Sequence, residues 1–136
     1  MSKSLLDSIE TSVALGLFPD EEAATRAHVL QTVETTLPIA KFKAGKVDNL
    51  NPARLSENPY PVENRPRGKA DLASVAHHRR TIRSKGRVTS PVWLAKKDGK
   101  YIMLDGVHRV VATYLEKKRT IPAYVVRLTR RRARRV

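Results

Sequence analysis

Five consecutive residues, Asp105-Gly106-Val107-His108-Arg109, carry the densest chemistry in this 136-residue chain. They follow the apolar run Tyr101-Ile102-Met103-Leu104, which reads as a strand. They open a segment in which Val107, Val110, Val111, Tyr114 and Leu115 recur at helical spacing. A glycine at a strand-to-helix junction lets the backbone come close to a ligand, and the first N–H groups of the helix have no acceptor within it. Such a junction is an anion site, and His108 and Arg109, expected off the apolar face, are placed to donate to a phosphate held there. Asp105 has three readings: helix N-cap, metal ligand, or partner of an attacking hydroxyl.

A second chemical signal is charge. Lys and Arg number 27 against 13 Asp and Glu, a net charge of +14. Residues 1–36 are acidic, with a net charge of −4, and the remaining residues carry +18. A surplus of that size concentrates polyanions, nucleic acid above all. The expected phosphate-tracking residues are Arg79, Arg80, Arg83 and Arg87, with Arg130, Arg131, Arg132, Arg134 and Arg135 near the C-terminus. A nuclear or nucleolar targeting signal is the competing reading of residues 130–135. With no base-reading module, contacts should be weakly sequence-specific and steeply dependent on salt. Adjacent His77 and His78 point about 100° apart on a helix, which argues against a shared zinc ion. The chain has no cysteine, which excludes disulfides, thiolate metal sites and thiol chemistry.

The elements that must position these residues follow from periodicity. Leu5, Leu6, Ile9, Val13 and Leu17 mark a first helix, and Asp20 caps a second whose buried face is Ala23, Ala27, Leu30, Val33 and Leu37. This acidic pair forms a helical extension (1–36), packed on the rest or offering a surface to a protein partner. Leu37–Phe42 reads as a strand and Gly45 as a turn. Residues 51–69 hold four prolines and read as a long loop. Ala70–Lys85 reads as a helix ended by Gly86, 91–95 and 101–104 as a hairpin turned at Asp98-Gly99, and 121–126 as the last strand. Residues 129–136 read as a basic tail. No apolar run reaches the ~18 residues of a membrane span, and acids at Asp7 and Glu10 argue against a secretion signal. The expected setting is cytoplasmic, nucleoid-associated, nuclear or virion-internal.

Five stretches in order resemble the ParB/sulfiredoxin superfamily: Asn58-Pro59-Tyr60-Pro61 with Arg65 and Arg67, Pro91-Val-Trp-Leu94, Leu104-Asp-Gly-Val-His-Arg109, Val110-Val-Ala112, and Ile121-Pro-Ala-Tyr-Val-Val126. The resemblance covers roughly residues 45–128 and implies an α/β fold, a small mixed sheet with helices, occupying 37–128. It implies a nucleotide phosphate, of CTP, ATP or ADP with Mg²⁺, held by Gly106, Val107, His108 and Arg109. Sulfiredoxin chemistry needs a cysteine where Val107 stands, so that reaction is excluded. A ParB-type helix-turn-helix would follow the domain, where a basic tail is expected here instead. The Asp-Gly-x-His-Arg form is similar to free-serine kinases. On that likeness Asp105 and His108 would be catalytic and Glu57 or Glu63 would act as base; otherwise both glutamates are solvated loop carboxylates. The expected function is thus a ParB-like nucleotide-phosphate and nucleic-acid-binding protein in DNA handling. The alternatives are a Mg²⁺-dependent phosphotransferase, NTP hydrolase or ParB-like nuclease, and a non-catalytic scaffold associated with a genome.

Overall fold

The computed structural model describes residues 2–60 and 66–128. In chain order the elements are α1 (Lys3–Ala14), α2 (Glu21–Leu30), β1 (Thr32–Pro38), α3 (Ile39–Lys43), a 3-10 turn (Pro52–Arg54), α4 (Pro66–Lys85), β2 (Val92–Lys97), β3 (Lys100–Asp105), α5 (Val107–Leu115) and β4 (Thr120–Leu128). The strands form one mixed sheet in the order β1-β4-β2-β3. β4 pairs antiparallel with β1 and parallel with β2, and β2 and β3 form the antiparallel hairpin. The hairpin turn uses left-handed backbone at both Asp98 and Gly99, as a two-residue turn between twisted strands requires.

Strand alternation divides the interior into two layers. Val92, Leu94, Ile121, Ala123 and Val125 face one way and join Phe42, Leu55, Val75, Ile82, Val110 and Val111 beneath α3, α4 and α5. Trp93, Ala95, Leu104 and Val126 face the other way, against Ala27 and the half-buried Leu5, Leu17 and Phe18 of the α1–α2 pair. The extension is therefore the third layer of a helix–sheet–helix sandwich. Ser8 of α1 and His28 of α2 lock it, the hydroxyl 2.8 Å from Nε2 while Nδ1 lies 2.7 Å from the Ala24 carbonyl.

Six expectations are corrected. The second helix stops at Leu30, and Thr32–Pro38 is a strand, because its β-branched Thr32, Val33, Thr35 and Thr36 suit a pleated edge and seven residues pair with β4. β1 thus runs across residue 36, where the extension was expected to end. The expected strand at Leu37–Phe42 is, from Ile39, the short helix α3. Leu30 is 72% exposed and Val33 40%, so the buried face of α2 is instead Ala24, Ala27 and His28. α1 likewise buries Ser8, Ile9 and Ser12 and leaves Leu6 exposed. Finally, α4 begins at Pro66, four residues before the expected start, with proline in the first turn where no N–H is needed.

Candidate functional site

Gly106 joins β3 directly to α5 at φ +109°, and a Cβ there would lie 2.6 Å from Val92 Cγ1 and 3.0 Å from Arg109 Nη2. Glycine is required by helix–strand packing at this junction, since the absent side chain would point into protein. The Gly106 carbonyl accepts from the amides of Arg109 and Val110. The amides of Val107 and His108, the two before them, donate to no acceptor among the described residues. Both residues line a cleft of about 560 Å³ to which Lys3, Ser4 and Asp7 of α1 and Arg67, Ser74 and His78 of α4 also contribute.

Arg109, expected to face a phosphate, is 7% exposed and held by protein. Nη1 donates to the carbonyls of Ser90 (2.9 Å) and Pro91 (2.8 Å), and Nη2 donates to Ser4 Oγ (3.1 Å) and Asp105 Oδ2 (2.5 Å). Four of the five guanidinium N–H groups are engaged. Asp105 is the counter-ion, and it also accepts from the Ser4 hydroxyl at 2.6 Å. It does not cap α5, whose N-cap is Gly106 with no side-chain hydrogen bond. Burial pushes the Arg109 pKa down and Asp105 pushes it back.

His108 lines the cleft and its ring bonds to α4. Nε2 lies 3.1 Å from Asp71 Oδ1 and Nδ1 lies 2.9 Å from Ser74 Oγ, while Tyr60 meets the ring edge-on at 5.4 Å. An ionised carboxylate only accepts, so Nε2 carries the proton that faces Asp71. Asp71 is 8% exposed, with Arg67 4.0 Å away on its other side. His78 is pushed down to about 4, first by burial and then by the charge of Arg109, His77 and His108, so it is neutral at pH 7.

The structure separates other expected partners. Glu57 is exposed and lines a different hollow with Tyr114, Leu115 and Lys117. That hollow lies at the far end of α5, about 13 Å along the helix from the Gly106 cleft. Glu63 and the tail arginines 130–132, 134 and 135 lie outside the described residues. Arg79 and Arg83, expected to track phosphates, both bind Glu116 at the end of α5, at 2.5 and 2.8 Å. Arg80 and Arg87 are exposed and make no ion pair among the described residues. Sequence reasoning missed Ser4, Asp71 and Ser74. Only the last two left a signal, a polar i, i+3 pair on one face of α4.

The model of the ParB N-terminal domain family matches residues 37–136. The chain belongs to that family. The match includes the cleft residues of α4, β3 and α5, whereas the α1 residues Lys3, Ser4 and Asp7 lie N-terminal to it. Among solved structures, a sulfiredoxin from Arabidopsis thaliana is similar, with 22% identity and a TM-score of 0.45 over 68% of this chain and 83% of that one. The search of curated proteins finds no match. In this ParB N-terminal domain no described helix is long and apolar enough to cross a membrane.

Proposed function

We propose that this protein binds the phosphates of a nucleotide in the Gly106 cleft and contacts nucleic acid through its basic surface, as a ParB-like protein in DNA handling. The observation that carries the reading is the pair of unpartnered amides, Val107 and His108, at the positive end of α5 on a 560 Å³ cleft. Lys3 and Arg67 supply exposed cations to its lining. Arg109 contributes its charge from behind the junction while its N–H groups hold the junction together. Asp7 makes no ion pair among the described residues, and one carboxylate plus phosphate oxygens is a common way to hold Mg²⁺. These features fit CTP, ATP or ADP with Mg²⁺.

Binding without turnover is the reading the geometry favours. Asp105 is neutralised by Arg109 and accepts from Ser4, and Glu57 sits at the other end of α5. A thermal-shift series with ATP, ADP, CTP and GTP, each with Mg²⁺, tests the reading. We expect stabilisation that grows with nucleotide concentration and shrinks in K3A/R67A, whose melting temperature without nucleotide stays near wild type. No shift with any of the four would overturn it.

A further inference from the structure

At the end of the sheet where β4 begins, a hollow of about 300 Å³ lies between the α4–β2 and α5–β4 connections. Its cations are Arg87 from the first connection and Lys118 and Arg119 from the second, and Thr36, Thr113 and Thr120 supply polar wall. Among the described residues no acidic side chain lines it. All three cations are exposed, and none makes an ion pair among the described residues. The neighbouring acid, Glu116, is held by two guanidiniums, Arg79 and Arg83, and its pKa is lowered chiefly by those bonds. The carboxylate that would otherwise offset the hollow's charge is thus more than balanced on its other side.

The backbones presenting these cations are fixed. After α5 the amides of Lys117 and Lys118 donate to the carbonyls of Tyr114 and Thr113, with Lys117 in left-handed backbone, and the Arg119 carbonyl accepts from Ile39 N at 2.8 Å. On the other side, Gly86 ends α4 with φ +84° and Val88 is buried. Three like charges line one hollow with no ion-pair partner among the described residues, an arrangement that costs free energy in the absence of an anion and favours one when it arrives.

We propose that Arg87, Lys118 and Arg119 form a binding notch for the phosphodiester backbone of nucleic acid, separate from the Gly106 cleft. The proposal rests on the nucleic-acid part of the functional reading and gives it a location. The notch lies at the start of β4. The β2–β3 turn and Leu128, after which the arginine-rich segment follows, lie at the opposite end, nine residues and ~30 Å along the strand.

The test is the salt dependence of binding of the full-length chain to a 20-base-pair duplex, read by fluorescence anisotropy. R87Q/K118Q/R119Q is compared with K46Q/K97Q/K100Q, which removes the same charge from exposed lysines near the other end of the sheet. We expect the slope of log K against log[salt] to fall by about 2 to 3 in the notch variant and clearly less in the lysine variant, with both melting like wild type. An equal fall in the two variants would mean diffuse attraction and would overturn the notch. Unchanged binding in the notch variant would also overturn it, leaving the nucleic-acid reading in place. No duplex binding by the wild-type chain would overturn both. Inorganic pyrophosphate serves as competitor: displacement of the duplex only at millimolar concentration supports a backbone site, and displacement at micromolar concentration would assign the notch to a small phosphate and overturn the proposal.

Discussion

The two ends of α5 treat charge in opposite ways. At its N-terminus, Arg109, Asp105, His108 and Asp71 all bond to one another or to the backbone, and their contacts tie α5 to α1, α4 and the β2 entry loop. At its C-terminus Arg79 and Arg83 share Glu116, while Arg87, Lys118 and Arg119 line one hollow and make no ion pair among the described residues. A motif dense in ionisable groups can therefore be mainly a structural knot that leaves its amides for a ligand, while a stretch with no motif leaves its cations for one. Substitutions at the first end should damage the fold, and those of the three unpaired cations at the second should damage binding alone.

The sharpest test of that contrast is G106A. A methyl group 2.6 Å from Val92 Cγ1, on backbone at φ +109°, has no place to go, and we expect a loss of about 3 kcal/mol or more in urea unfolding. R109A should cost about 3 kcal/mol, since it leaves Asp105 without its counter-ion and two carbonyls without donors. If R109A melted like wild type and lost only nucleotide binding, the knot would be a ligand site after all.

A smaller effect is expected from His78. Its folded-state value of about 4 lies below the ordinary 6.5, so between those values the unfolded chain binds more protons. Stability should fall as pH drops from about 6.5 to 4, and H78Q should flatten that limb by about 1 kcal/mol once screening by solvent around the half-buried ring is allowed for. Buried His28 is lowered in the same direction and should account for part of what remains. Urea midpoints measured across this range for both proteins check the sign. E116Q should have the smallest effect, a slight drop in the urea midpoint that vanishes in 1 M salt, because its partner Arg83 is open to solvent.

Much of this arrangement is legible in the sequence. The Asp98-Gly99 turn, the Gly106 junction, the register of α5 and the β2 and β4 strands follow from local pattern, because turn chemistry and periodicity act over a few residues. β1 was hidden because Leu30, Val33 and Leu37 fit helical spacing, while its strand character comes from pairing with residues some ninety positions away. The engagement of Arg109 was hidden for the same reason. Its acceptors lie in the 90–91 loop and at Ser4, and a sequence does not distinguish an arginine aimed at a ligand from one aimed at a carbonyl.

The sheet order has a consequence in time. Among the described residues β1, made early, finds its only strand neighbour in β4, the last of the four strands, and Ser4 reaches Asp105 across 101 positions of sequence. During synthesis the first 38 residues must wait, with an unpaired strand and the apolar side chains beside it, until residue 128 has left the ribosome. Folding should accordingly close late and slowly for a chain of this size, with the β2–β3 hairpin and α5 formed first and the N-terminal layer docking last.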